Sequence, residues 1–149
     1  MFRLPDDLSF NRGAISNPAE YLEQTGCTSW LCLTGTEFAE LPEGMSYAQV
    51  QQATAHSRNV VSDPPRILNV ELARAHVRAL DDLPRPTLIS CRAGPRASAV
   101  AYMYAGLKSN VDGDEAVAAG ERDGAPFIAF EEYKAWVRSS IAILKPEAK

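Results

Sequence analysis

One short segment of the sequence, Pro86–Ser98, combines residue types that together could carry out nucleophilic chemistry. A strand predicted over Thr87–Ser90 ends at Cys91, and Gly94 and Arg96 follow just before a predicted helix. Backbone N–H groups at a helix N-terminus favour both a cysteine thiolate and a bound oxyanion. Gly94 can adopt loop conformations that a residue with a Cβ resists, and Arg96 supplies a permanent, planar positive charge. The segment predicts an enzyme with Cys91 as its nucleophile and Arg96 as its oxyanion-binding residue.

A simpler interpretation of these residues is purely structural. A cysteine at the end of a buried strand is often a small core residue, and a loop arginine often forms an ion pair that fixes the loop. Two arginines in a tight turn directly after the cysteine favour the reactive interpretation. The other loop residues are then expected to contact substrate, with the first of them also attracting anions at the rim. They are Arg92, Ala93, Gly94, Ala97 and Ser98.

The composition predicts one globular domain over residues 1–149, with neither a nucleic-acid nor a membrane partner. The chain is 46% hydrophobic and 23% charged, and its net charge of −4 comes from interspersed acids and bases rather than a basic stripe. The longest apolar run, Ala99–Leu107, is too short to span a bilayer. The acidic first residues do not resemble a secretory signal. Three cysteines without such a signal predict free thiols in a reducing cytoplasm. His56 and His76 show no metal-ligand spacing, so no metal or other cofactor is expected.

The strand and helix signals alternate, which predicts an α/β fold with a small, mainly parallel sheet of four to five strands flanked by helices. Strands are predicted at Thr28–Leu33, Asn59–Val61 and Thr87–Ser90. Helices are predicted from capping residues and apolar spacing. They lie after Asn17 as far as Gly26, at Tyr47–Ser57, after Asn69, at Ala97–Leu107, at Gly113–Ala119 with a stop at Gly120, and at Phe127–Leu144.

The length of the loop bears on whether the thiolate attacks phosphorus or sulfur. Four residues separate Cys91 from Arg96, and one of them, Pro95, has no N–H to donate. A phosphoryl group presents three equatorial oxygens that need donors. The small loop therefore favours one sulfur atom held as a persulfide. A phosphatase would also need a general acid, and Asp63, in the loop after a predicted strand, is the candidate in that case only. Otherwise Asp63 is a turn residue.

The loop Cys91–Ala97 reads CRAGPRA, and its Cys-x4-Arg spacing resembles the active-site loop of rhodanese-like sulfurtransferases. Tyrosine and dual-specificity phosphatases have a loop one residue longer, preceded by histidine where this chain has Ser90. From Leu8 to Lys108, and notably at Asn17–Glu20, the chain resembles the phosphatase-like domain of the beta-lactamase-hydrolase-like family, whose loop reads CRSGTRS. This resemblance implies a dual-specificity-phosphatase-like fold and a cysteine that carries sulfane sulfur as a persulfide.

The leading hypothesis is a sulfurtransferase that takes sulfur from a small anionic donor, such as thiosulfate or a persulfide, onto Cys91. The alternative is a small cysteine-dependent phosphatase that acts on a phosphorylated substrate through a phosphocysteine. A third hypothesis is a catalytically weak module that binds anions or a partner, because Ala93 and Ala97 stand where the similar family has serines. Cys27 and Cys32 are either core residues or thiols that could resolve an oxidised Cys91.

Overall fold

A parallel β-sheet forms the centre of the computed structural model, which describes residues 1–42, 44–62 and 67–148. Within these residues the strand order is β1–β4–β2–β3, and every neighbouring pair is parallel. The strands are β1 (Leu8–Phe10), β2 (Ser29–Cys32), β3 (His56–Asn59) and β4 (Thr87–Ser90). This arrangement confirms the predicted α/β fold class. Because β4 lies between β1 and β2, the residue that follows it emerges near the middle of the sheet's carboxyl edge.

The helices begin and end largely where their capping residues predict. Asn17 accepts a hydrogen bond from the Glu20 N–H, Gly26 ends the same helix with a left-handed φ of 73°, and Asn69 accepts from the Leu72 N–H. The helices are α1 (Pro18–Thr25), α2 (Thr36–Ala39), α3 (Tyr47–Ala53), α4 (Val70–Asp82), α5 (Pro95–Lys108), α6 (Gly113–Asp123) and α7 (Glu131–Leu144). Two 3-10 turns, Pro126–Ala129 and Pro146–Ala148, precede and follow α7.

The predicted boundary between α3 and β3 is wrong by several residues. The helix ends at Ala53 rather than Ser57, and the strand begins at His56 rather than Asn59. The Thr54 hydroxyl donates to the Thr28 carbonyl and accepts the His56 N–H, which turns the chain out of the helix and into the strand. This strand lies at the end of the strand order and is partly exposed, so it lacks the apolar residues by which strands are recognised.

Two other predicted boundaries also differ from the structure. Gly120 does not end α6, because it lies inside the helix where the Phe127 ring packs too closely for a Cβ, and the left-handed Gly124 ends the helix instead. The single helix predicted over Phe127–Leu144 is divided into a 3-10 turn and α7. None of these changes lies within the segment Pro86–Ser98 itself.

Helix α5 packs through the middle of the larger apolar cluster, and every residue from Arg96 to Leu107 is buried. It contacts α4, α6, α7 and the two strands β1 and β4. Helices α1 and α3 pack together, and apolar residues of both contribute to a smaller cluster. Side chains on a strand alternate between faces, so Leu31 and Ile89 lie in the larger cluster whereas Trp30 and Leu88 lie in the smaller one. In the part of the chain that the structure describes, no helix is long and apolar enough to cross a membrane.

Candidate active site

Cys91 lies directly after β4, and its sulfur accepts two backbone hydrogen bonds from the loop that follows. The Gly94 N–H donates over 3.1 Å and the Ala97 N–H over 3.3 Å. Ala97 belongs to the first turn of α5, where N–H groups have no partner within the helix and point outward. Both donors favour negative charge on Sγ, as does the helix dipole. The thiol is only 2% exposed, so these bonds act in a poorly solvated environment.

Gly94 is required by this loop for two independent reasons. Its φ of 117° is one that residues with a Cβ rarely adopt, and it is the N-cap residue of α5. A Cβ at this position would lie 2.3 Å from the backbone oxygen of Asn11 and 3.3 Å from Pro126 Cγ. The prediction that Gly94 permits a conformation closed to other residues is confirmed.

Asn11 fixes the backbone of the cysteine, a role that the sequence analysis did not assign. Its Oδ1 accepts the Cys91 N–H at 3.1 Å, while its Nδ2 donates to the carbonyls of Cys91 and Gly13 at 2.9 Å. Asn11 is fully buried and directly follows β1, the strand paired with β4. A polar residue at the carboxyl end of a parallel strand was the available signal, but β1 has only three residues and was not predicted.

Arg96 is fully buried in the first turn of α5, and its guanidinium carbon lies over the Trp136 ring of α7, 4.6 Å from the centroid. This is the distance of a cation–π contact. The indole is in turn held by a hydrogen bond of 2.9 Å from its Nε1–H to the carbonyl of Asn69, the N-cap residue of α4. Trp136 is a buried core residue, as its spacing predicts, and it also contacts the candidate oxyanion-binding arginine.

His76 of α4 completes this buried layer. Its ring meets the Trp136 ring edge to face at 5.8 Å and 82°, and its Nε2 lies 3.3 Å from Ser62 Oγ. Burial, and to a smaller extent the nearby positive charge of Arg96, lowers the pKa of His76 to about 3. The imidazole is therefore neutral at pH 7, so it adds no second positive charge beside the arginine.

The residue before the cysteine faces the other side of the sheet. Ser90 Oγ accepts a hydrogen bond of 2.7 Å from the Trp30 indole N–H, whereas Cys91 belongs to the larger cluster on the opposite face. Cys32 and Cys27 also lie in the smaller cluster, and burial raises the pKa of the Cys32 thiol. The described positions thus support the core interpretation of both cysteines, because the sheet separates Cys32 from Cys91.

The remaining predicted site residues fall into three groups. Arg92 and Ala93 are exposed on the loop, which suits contact with a substrate. Ser98 is buried, and its hydroxyl donates to the Pro95 carbonyl and accepts the Phe127 N–H. The expectation that this hydroxyl contacts substrate is therefore not supported, since it joins α5 to the following 3-10 turn. Asp63 lies outside the described residues.

This geometry can bind an anion and attack it. A cysteine sulfur that accepts two N–H groups, a helix N-terminus and a buried guanidinium are groups that nucleophilic catalysis on an oxyanion uses. Among residues 1–42, 44–62 and 67–148, no group of three or more His, Cys, Asp or Glu side chains is placed to hold a metal ion.

Similarity to known proteins is confined to three-dimensional structure. No protein-family model matches this sequence, and no curated protein matches it. A candidate phosphatase from Neisseria meningitidis is 16% identical, with a TM-score of 0.68 over 93% of this chain and 96% of that chain. A DUF442 candidate phosphatase from Shewanella putrefaciens is 20% identical, with a TM-score of 0.66 over 95% of this chain and 88% of that chain.

TpbA of Pseudomonas aeruginosa is 16% identical, with a TM-score of 0.63 over 93% of this chain and 85% of that chain. A cysteine-to-serine form of TpbA matches equally well and is in complex with phosphotyrosine. Human DUSP28 is also 16% identical, with a TM-score of 0.56 over 99% of both chains. Identities this low establish the fold alone. The chain has the dual-specificity-phosphatase-like fold that the resemblance of its sequence implied.

Proposed function

We propose that this chain is a cysteine-dependent phosphatase that acts on a phosphorylated substrate through a phosphocysteine intermediate. The observation that carries the proposal is the pair of hydrogen bonds from the Gly94 and Ala97 N–H groups to Cys91 Sγ, at the N-terminus of α5. These donors stabilise the attacking form of the cysteine without a histidine base. We also infer that residues 1–149 form one domain, since α5 packs against elements from both halves of the chain.

The reaction follows from the properties of these groups. The Cys91 thiolate attacks phosphorus, the bond from phosphorus to the leaving oxygen breaks, and a general acid gives that oxygen a proton. Water then attacks phosphorus and gives a proton back to the acid of the first step, the bond from phosphorus to sulfur breaks, and inorganic phosphate and the thiolate are released. Arg96 and the loop N–H groups bind the non-bridging oxygens in both steps. Asp63 remains the predicted acid for the first step.

Structural neighbours favour phosphoryl transfer over the sulfur transfer that loop length predicts. Two are candidate phosphatases of the same fold, and a cysteine-to-serine form of TpbA is in complex with phosphotyrosine. No neighbour considered above is described as a sulfurtransferase. We infer that a phosphate monoester, such as phosphotyrosine, is the substrate class of this chain, and that Arg92 attracts it at the rim of the loop.

Sulfur transfer is the second candidate, and the small number of N–H donors that the loop offers favours it. The loop is short, Pro95 contributes no N–H, and the Gly94 and Ala97 N–H groups are directed at Cys91 Sγ. This small set of donors suits a single sulfur atom better than the three oxygens of a phosphoryl group. A persulfide on Cys91 would need only the sulfur position to be stabilised.

Hydrolysis of p-nitrophenyl phosphate and of a phosphotyrosine peptide tests the proposal. We expect Cys91→Ser to lower turnover by at least about a thousandfold and Arg96→Lys by about a hundredfold. Cys27→Ser is the matched control, because this buried thiol lies in the cluster on the other face of the sheet, and it should retain turnover. If the wild type is active and the Cys91→Ser variant keeps its turnover, the mechanism is refuted.

Intact mass separates the two candidates. Wild type and Cys91→Ser would each be incubated with thiosulfate, freed of reagent and weighed. A gain of one sulfur atom by the wild type alone, without phosphate release in the first assay, would replace the phosphatase proposal with sulfur transfer. Phosphate release without a gain of sulfur would support the phosphatase. The absence of both, with Cys91 shown free and unoxidised, would favour the binding-module hypothesis.

A further inference from the structure

The contact between Arg96 and Trp136 joins the candidate oxyanion-binding residue to the C-terminal helix α7. The guanidinium carbon lies 4.6 Å from the indole centroid, and both side chains are almost completely buried. A cation is attracted to the face of an aromatic ring, and this attraction is greater where water is excluded. The contact therefore stabilises the guanidinium charge in a place where burial alone would disfavour it.

The type of contact matters for anion binding. An aromatic ring under the guanidinium carbon engages the face of the group, whereas a carboxylate would occupy its N–H donors with a competing negative charge. Trp136 can therefore restrain Arg96 through the face of the guanidinium and does not itself occupy an N–H donor of the group.

The indole itself is fixed from two directions. Its N–H donates to the Asn69 carbonyl over 2.9 Å, and the His76 ring packs against it at 82°. His76 is neutral at pH 7, so it brings no positive charge of its own to the indole that Arg96 contacts. These two contacts restrain the orientation in which the indole presents its face to the guanidinium.

We propose that Trp136 is a positioning residue that holds Arg96 in the orientation required to bind the oxyanion of the substrate. The proposal rests on the proposed function in one respect, which is that Arg96 binds an oxyanion. It adds that α7 supplies part of the anion site indirectly, although α7 lies far from the loop in sequence.

Tungstate affinity and p-nitrophenyl phosphate kinetics test the role of the ring face. Trp136→Leu removes the face, while Trp136→Phe keeps an aromatic face and loses the N–H bond to Asn69. We expect Trp136→Leu to lower tungstate affinity and kcat/KM by about tenfold, and Trp136→Phe by less than about threefold. Equal losses in the two variants would overturn the proposal, because they would assign the effect to the hydrogen bond or to packing.

The Arg96→Met background, which removes the positive charge, provides the control for indirect damage. If Trp136 acts through Arg96, adding Trp136→Leu to Arg96→Met should cause less than about a twofold further loss of tungstate affinity. A further tenfold loss would show that the tryptophan acts elsewhere and would overturn the proposal. Tungstate binding is measured by calorimetry and needs no turnover, so a failure of the phosphatase reaction would not be mistaken for a failure of this inference.

Fluorescence gives a test that leaves Trp136 in place, should its variants fail to fold. The chain has two tryptophans, so Trp30→Phe makes Trp136 the sole reporter. We expect tungstate to change its emission with the same concentration dependence as binding by calorimetry, and to cause no such change in the Trp30→Phe, Arg96→Met double variant, which has no cation at position 96. An unchanged emission while tungstate binds would overturn the proposal.

Discussion

The buried imidazole of His76 should make the free energy of unfolding fall steeply in mild acid. Its side chain is fully buried in α4, between Ser62 and Trp136, and its pKa is lowered to about 3, first by burial and then by the charge of Arg96. In the unfolded chain the same group has an ordinary pKa of about 6.5. Between about pH 6.5 and about pH 3, the unfolded chain therefore binds a proton at this group and the folded protein does not.

The sign and size of the effect follow from this difference. The contribution of the neutral His76 to the free energy of unfolding is fully present above about pH 6.5. It is lost as the pH falls from there toward about 3, because protonation favours the unfolded state. Between pH 7 and pH 5, the proton uptake of one such group amounts to about 2 kcal/mol of lost stability. This is a large share of the stability of a small domain.

Urea unfolding at pH 7 and pH 5, followed by tryptophan emission, measures the effect. His76→Gln keeps a polar group that cannot titrate, and the pH dependence of its unfolding free energy should be shallower than that of the wild type by about 2 kcal/mol over this interval. His76→Phe, which keeps a ring beside Trp136, should be shallower by the same amount. His56→Gln is the matched control, because His56 is exposed on β3, and it should follow the wild type.

Comparison between variants removes the contribution of the carboxylates, which titrate in the same range in all of them. If His76→Gln and wild type lose the same free energy between pH 7 and pH 5, within about 0.5 kcal/mol, the imidazole is not held neutral in the fold and the reasoning is refuted.

Three further predictions concern the backbone around the cysteine. Asn11→Ala should lower the free energy of unfolding by about 2 kcal/mol in urea titrations, because it leaves the buried N–H and carbonyl of Cys91 without their partner, and p-nitrophenyl phosphate turnover should fall with it. Gly94→Ala should cost more than about 2 kcal/mol by thermal unfolding, whereas Gly26→Ala, also at positive φ but with open space around it, should cost about 1 kcal/mol, and equal costs would contradict the clash. Ser90→Ala should cost about 1–3 kcal/mol by urea unfolding because a buried indole N–H loses its acceptor, and a neutral result would contradict that assignment.

The features that could be predicted from sequence are those fixed by local chemistry. Asn17 and Asn69 begin helices because their side chains accept N–H groups three residues on, and Gly26 ends one because it adopts a left-handed φ. The loop around Gly94 was likewise predictable, since a strand, a cysteine, a glycine and an arginine lie within ten residues of one another. Each of these signals depends on neighbours along the chain.

The features that could not be predicted depend on pairing between distant segments. Strand β1 has three residues and is recognisable only through its register with β4, so Asn11 gave no sign of reaching Cys91. Trp136 is 40 residues from Arg96 in sequence, and its spacing indicates a core residue whether or not a guanidinium lies over it. The preference for sulfur over phosphorus rested on the length of the loop, on the missing N–H of Pro95 and on a family resemblance.

The burial of residues 96–107 of α5 has a consequence for how the loop at its N-terminus can move. These residues cannot fray without exposing the larger apolar cluster to water. Local opening of the loop beyond Gly94 is therefore tied to unfolding of the whole molecule. The amide hydrogens of residues 97–107 should exchange with deuterium only at the rate set by global unfolding. The loop Cys91–Ala97 and the rest of the fold would then form and unfold as a single cooperative unit.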